Sequence, residues 1–428
     1  MRSSAAFQRY ALLFLSAVFG FGASDAGVAQ NRHAKRINLH SAIERAIAHN
    51  PSLRTFEHQL KAQGGVELQA TLKASPELNV VVEDALGTGN FKAADSAQAT
   101  LSISWVLEGE TRQGFIDVAH AGTLSLTNEA LVLRLDVAAE TARLYLTSLA
   151  RQARLQNARR TSALAKETVQ AVKKRVDAGK TPQAELARAQ AEAARRLLDY
   201  EKRVYELNAA HRLLAAQWGS THPAFNLVDG NILNLPATLS FKSLRARLEK
   251  SPVLMRLLSD KRVKQAALKL AEAQSRANWR LNVGVRHFEA THDQAFVAGL
   301  SIPFGERSRN PGGIAQARAS LSQMATKKDE LRVALQTTLY VLHGQLQHSK
   351  NRVGVYREVI LPLLEKARSE TRKAYNLGRY SYFELRSAQA DLLDARNALI
   401  DASSDVHLKV IEIERLTGVK MSKSTSVP

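Results

Sequence analysis

Four side chains with metal-ligand chemistry fall within one short stretch, HFEATHD: His287, Glu289, His292 and Asp293. Imidazole and carboxylate together suit Zn²⁺ and related cations. The stretch reads as a strand connection and lacks the i, i+4 spacing of a helical metal site. Solvated loops commonly have this composition, so the reading assigns no metal and keeps these four residues as candidates. The remaining histidines are scattered. No HExxH, P-loop or GxSxG occurs, nor any GxGxxG in a strand–helix setting. The expectation is a protein that is not an enzyme and carries no cofactor. A second constellation is a matched pair. Gly179 and Gly378 are each followed six residues later by a glutamate, Glu185 and Glu384. Glycine suits the C-cap of a helix, and a carboxylate is favoured near a helix N-terminus. Each pair therefore reads as one helix ending and another beginning.

The match extends well beyond these residues. VDAGKTPQAELARAQAEA (176–193) aligns with YNLGRYSYFELRSAQADL (375–392), and Gly219 aligns with Gly418 at the same offset of 199. Further back, Asn50-Pro51-Ser52-Leu53 aligns with Ser251-Pro252-Val253-Leu254. Leu78–Val82 aligns with Leu281–Val285, and Leu101-Ser102-Ile103 with Leu300-Ser301-Ile302. The offset drifts only across loops. The chain is a tandem repeat, which decides the fold before any single element does. The expected organisation is a first repeat over 30–219, a linker over 220–240 with Pro223, Gly230 and Pro236, a second repeat over 241–418, and a tail over 419–428.

Each repeat reads as helix, strand, strand, very long helix, turn, helix. The strands are expected at about 77–86, 98–108, 279–288 and 294–304. In each, apolar and polar residues alternate with period two, as in Leu101, Ile103 and Trp105 against Thr100, Ser102 and Ser104. Phe296, Ala298, Leu300, Ile302 and Phe304 form the apolar series of the fourth strand. No proline interrupts 113–181. A helix over most of 113–177 would reach roughly 100 Å at 1.5 Å per residue, a rod that a compact domain cannot use. In the second repeat Pro362 should kink or split the matching rod, at a belt where linker and terminal segments pack outside.

Residues 1–29 read as a signal peptide, with Arg2 and Arg9 ahead of an apolar ALLFLSAVFGFG and small residues Gly27 and Ala29 before a cut at Gln30. A cut after Ala26 and a retained anchor are the alternatives. The chain has 60 Lys+Arg against 40 Asp+Glu, a net charge of +20. Such a charge suggests an anionic partner, but an exported protein does not meet the genome, so no nucleic acid is expected. The sequence has no cysteine, which excludes disulfides, thiolate sites and attachment through a lipidated cysteine. Each strand run is also about the length that crosses a membrane when tilted. Four strands cannot close a barrel, and open edges are not tolerated in lipid. Closure must come from oligomerisation, and three copies would supply twelve strands.

These features together resemble the TolC family of outer-membrane factors, across nearly all of the mature chain. The segments that carry the resemblance are NPSL, LSISWVLEGETRQG, LSIPFGERSRNPGGIAQARA and LPLLEKARSETRKAYNLGRYSYFELRSAQADLLDA. Pro76–Asp84 (PELNVVVED), Leu107–Arg112 and Arg309–Ala317 (RNPGGIAQA) are most similar to its heavy-metal, CzcC-like branch. The resemblance implies a mainly α protein with a small β part. It would form a trimeric 12-stranded transmembrane β-barrel continued by a periplasmic α-helical barrel. It implies a homotrimer in outer-membrane lipid, docked to a periplasmic membrane-fusion (adaptor) protein and an inner-membrane RND pump. The function implied is the exit duct of a tripartite efflux system for divalent heavy-metal cations. Gly179, Lys180, Thr181, Gly378, Arg379 and Tyr380 would then be adaptor-contact tips. Glu185 and Glu384 would line the periplasmic gate, with Arg188 and Arg386 latching it. The family's next acidic position is Ser387 here, and the acylated cysteine of many relatives is absent. Rival readings are the duct of a drug-efflux or type I secretion system, and a soluble periplasmic coiled-coil scaffold.

Overall fold

The computed structural model describes residues 35–276, 278–303 and 310–418. The expected signal peptide, Phe304, Arg309 and the tail 419–428 lie outside the described residues. Each repeat opens with two helices rather than one. These are α1 (Leu39–His49) and α2 (Pro51–Thr71), then α5 (Phe241–Leu248) and α6 (Pro252–Ala273). The aligned NPSL and SPVL segments account for the break. Asn50 and Ser251 are N-caps whose side chains accept from Ser52 N–H and Leu254 N–H, with proline in the first turn. Proline there loses no helical hydrogen bond, while the residue before it is held extended.

The rods follow. In the first repeat α3 (Glu110–Asp177) runs 68 residues without interruption and turns into α4 (Gln183–Ala216). At 1.5 Å per residue α3 is roughly 100 Å long. In the second repeat the matching rod is divided. α7 (Pro311–Val355) passes through a π-helical turn, Tyr356–Ile360, into α8 (Leu361–Asn376), and α9 (Tyr382–Thr417) returns. Pro362 lies at the start of α8, where its missing N–H and its ring force the widened turn before it.

A four-stranded antiparallel sheet joins the repeats. Its order is β2 (Glu77–Glu83), β3 (Gln98–Leu107), β5 (Trp279–Phe288), β6 (Asp293–Ser301). The central pair β3–β5 brings one strand from each repeat together in a continuous ten-residue register, from Gln98↔Phe288 to Leu107↔Trp279. β2 stops short of the expected 86 because Asp84 and Leu86 adopt positive φ, 58° and 61°, which breaks a ladder. β6 begins at Asp293 and ends at Ser301 rather than running to 304.

The sheet is inverted relative to a soluble one. Thr100, Ser102 and Ser104 are buried, at 6%, 7% and 5% exposure, while Leu101, Ile103 and Trp105 on the opposite face are exposed. Leu78, Val80, Val82, Val283, Val285, Phe296 and Leu300 are exposed as well. Inward polar groups bond one another: Asn79 donates to Ser104 Oγ at 3.0 Å. Arg286 reaches across β3 to donate to Thr100, Gln98 and Glu83. Among the described residues, β2 and β6 each leave an unpaired outer edge. No helix among the described residues is long and apolar enough to cross a membrane.

A second sheet was not legible in the sequence. β1 (Arg36–Ile37) pairs in parallel with β4 (Leu227–Val228), tying the N-terminal segment to the linker. Tyr145 of α3 donates to the Ile37 carbonyl and contacts the Asp229 carbonyl. Burial raises its phenol pKa. The core here mixes both repeats, with Ala142, Leu149, Leu214, Val228, Ile232 and Ile400 in one cluster. The linker then runs along the second repeat to the divided rod. Arg357 in the π turn donates to the Leu233 carbonyl at 2.6 Å, and Lys350 to Thr238 at 3.1 Å. Ion pairs also join α3 to α9: Arg415 with Asp136 at 2.6 Å and Arg143 with Glu412 at 2.5 Å.

Candidate functional site

The two helical turns farthest from the sheet lie side by side and are built alike. At the first, Lys180 N–H donates to the Arg175 carbonyl and Gly179 N–H to that of Val176, both at 2.9 Å. At the second, Arg379 N–H donates to the Ala374 carbonyl at 2.9 Å and Gly378 N–H to that of Tyr375 at 3.0 Å. Both are Schellman motifs, which require a left-handed residue. Gly179 and Gly378 supply it, with φ of 68° and 78°. Space is not the constraint, since a Cβ on Gly179 would meet nothing within 4 Å.

The returning helices start differently. Proline 182 precedes α4 without a side-chain cap, whereas α9 begins with a full capping box at Ser381 and Glu384. Phe383 N–H donates to Ser381 Oγ at 3.2 Å, and Ser381 N–H to Glu384 Oε2 at 3.0 Å. The Ser381 hydroxyl, donating to the same carboxylate, holds Glu384 below the usual carboxylate range. Glu384 is thus occupied as a cap within its own chain. Glu185 sits at the matching position of α4, half-buried, its backbone N–H bonded to Pro182 O at 3.0 Å.

What locks the turns together is a set of contacts between repeats. Val172, Leu186 and Ala189 of the first repeat pack with Tyr375, Tyr382 and Leu385 of the second. Burial raises the phenol pKa of both tyrosines. Arg175 stacks over the Tyr375 ring at 4.6 Å from its centroid. It also donates to the Tyr375 carbonyl at 2.6 Å and to Thr181 Oγ1 at 3.3 Å. Arg386 of α9 donates to Glu192 of α4 at 3.2 Å. Glu192 is 8% exposed and also takes Arg196 at 2.7 Å. A buried carboxylate needs such partners to remain charged.

Arg386 was expected to latch the helices by an ion pair, and its partner is Glu192 of α4. Arg188, expected beside it, forms no ion pair among the described residues. It lines a cleft of about 550 Å³ with Glu185, Glu192, Tyr382, Phe383 and Arg386. Sequence reasoning missed Glu192, Arg175 and Tyr375, because nothing in their local pattern marks a contact across some 200 residues. It also missed Leu377 and Phe383. Both are strongly exposed apolar residues flanking the second turn, at 70% and 63%. Large apolar side chains beside a tip glycine were the available signal. Lys180, Gly378, Arg379 and Tyr380 are likewise exposed. At the opposite end of the molecule, His287, Glu289 and His292 come together at the β5–β6 turn; Asp293, the fourth candidate, is not part of that group.

The rod-and-sheet repeat, with its inverted sheet and paired helical tips, is the architecture to compare with known proteins. Residues 42–220 match the family model described as "Outer membrane efflux protein". The chain is 25% identical over 417 residues to the cobalt-zinc-cadmium resistance protein CzcC of Cupriavidus metallidurans, covering 95% of this chain and 97% of that one. It is 23% identical over 284 residues to the nickel-cobalt-cadmium resistance protein NccC of Alcaligenes xylosoxydans xylosoxydans, covering 66% and 64%. Among solved structures, CusC superposes with a TM-score of 0.73 at 18% identity, covering 89% of this chain and 91% of that one. The outer membrane protein VceC of Vibrio cholerae gives 0.71 at 17% identity, covering 89% and 96%.

Proposed function

We propose that three copies of this chain form the exit duct of a tripartite efflux system expelling divalent heavy-metal cations. The observation that carries the duct is the inverted sheet with two unpaired edges. Exposed apolar residues outside and bonded polar residues inside match a barrel wall between lipid and water. Unpaired edges cannot persist in lipid, so β6 of one copy must pair with β2 of the next. Twelve strands then close around a lumen lined by residues such as Ser102, Asn282 and Arg286. The rods continue the tube into the periplasm.

The tips are the moving part. Gly179, Lys180, Thr181, Gly378, Arg379 and Tyr380, with Leu377 and Phe383, form the surface offered to the helical hairpins of an adaptor. Glu192, Arg386 and Arg175 hold the two turns of one copy as a unit, so opening swings paired turns outward. Glu185, facing the cleft, narrows the entrance, with Glu384 acting first as a cap. Energy comes from an inner-membrane RND pump. The metal cargo is supported by CzcC and NccC, whose names place them in cobalt, zinc, cadmium and nickel resistance.

Deletion of the gene tests this reading. The expected outcome is a severalfold fall in the cobalt, zinc and cadmium concentrations that stop growth, with drug tolerance unchanged. Loss of drug tolerance with metal tolerance intact would assign the duct to drug efflux instead.

A further inference from the structure

We propose that His287, Glu289 and His292 form a binding site for a zinc-type divalent cation on the outer rim of the sheet, at the β5–β6 turn. One ligand atom from each residue lies within 4.8 Å of the other two. Zn²⁺ bonds of about 2.0–2.1 Å at tetrahedral angles place ligand atoms about 3.3 Å apart. His287 Nε2 and Glu289 Oε2 are already separated by 3.3 Å. Only His292 must close in, from within 4.8 Å.

The backbone fixes all three positions. His287 is held in register by Ala99 on one side and Gln294 on the other. Glu289 N–H donates to the Ala97 carbonyl at 2.9 Å. His292 adopts φ of 60°, a left-handed conformation uncommon for a residue with a Cβ. That turn folds its imidazole back toward β5. His287 Nδ1 is buried and has no hydrogen-bond partner among the described residues.

Two imidazoles and one carboxylate select zinc, nickel or copper over calcium or magnesium, which prefer all-oxygen sites. Three protein ligands leave the fourth position to water. His287 continues the outward series Leu281, Val283, Val285, so the site faces outside the lumen. It would staple the turn shut and sample cations beyond the barrel, whatever the cargo inside. The site therefore stands apart from the proposed transport.

Titration of ZnCl₂ into the full-length detergent-solubilised protein at pH 7.5, followed by calorimetry, tests this. One saturable Zn²⁺ per chain is expected, and CaCl₂ at the same concentration should not compete. His287→Ala and His292→Ala should each weaken binding at least about tenfold, since even indirect supports of a metal ligand are worth that much. Wild-type protein loaded with Co²⁺ should show the intense visible absorption of a tetrahedral complex, a reading that needs no variant. Absence of saturable Zn²⁺ binding, or only a weak octahedral Co²⁺ spectrum, would overturn the site. So would a double variant that unfolds like wild type and binds Zn²⁺ equally well.

Discussion

The sheet end and the tip end solve opposite problems with the same repeat. At the tips, apolar side chains from both repeats meet inside, and charged residues tie the helices across the contact. That end is satisfied within one copy. At the sheet, apolar residues face outward and both edges are open. Within one copy that end is unsatisfied; in the proposed trimer, lipid and neighbouring copies would surround it. Strength at the tips is therefore a property of the chain, whereas in the proposed trimer strength at the sheet is a property of its surroundings.

The sharpest way to break this contrast is a charge on the outward face. Ile103→Arg should cost about 2–4 kcal/mol in the bilayer and abolish assembly in membrane fractions. Ser102→Thr, one residue along and inward, should assemble normally. If both behave alike, the sheet does not face lipid. Next in size is Glu192→Gln, which leaves Arg386 and Arg196 without their carboxylate. Glu192 is buried but Arg386 is 43% exposed, so the expected loss is about 1–2 kcal/mol after solvent screening. Single-channel conductance should rise while assembly stays intact. Unchanged conductance would remove Glu192 from the closed tip.

Gly378→Ala should follow, at about 1 kcal/mol, because a Cβ is strained in the left-handed cap. Thermal unfolding would register it, and Gly344→Ala, inside α7, should show none of that loss. Ser381→Ala should have the smallest effect, about 0.5–1 kcal/mol for a lost N-cap. It carries a pH signature. The Glu384 pKa is lowered in the folded chain, so its contribution is present above the ordinary carboxylate pKa and is lost as pH falls through the folded value. The difference between wild type and Ser381→Ala should therefore shrink in acid. A constant difference would show that the carboxylate plays no part in the cap.

Much of this was open to a reader of the sequence. Period-two runs located the strands, and Gly179 and Gly378 located the turns, because both signals are local. The shared NPSL-type segments gave the repeat, though not that each opens with two helices. Pro362 announced a break in the second rod, but not that the break takes the form of a π-helical turn, nor that the linker meets that turn at Arg357. The candidate gate is a different case. Glu384 carried the same local signal whether it capped its helix or lined a pore. Glu192, Arg175 and Tyr375 carried no signal at all.

The sequence by itself determined that there are two copies of one unit, which face of each strand is apolar, and where each rod turns. Those properties follow from spacing along the chain, since side-chain direction repeats every two residues in a strand and every 3.6 in a helix. Only the tertiary structure decided that β3 pairs with β5, that the linker binds the N-terminal segment, and that Arg386 finds Glu192. Each joins residues some 190 positions apart, and such partners are chosen by packing, which no local pattern encodes.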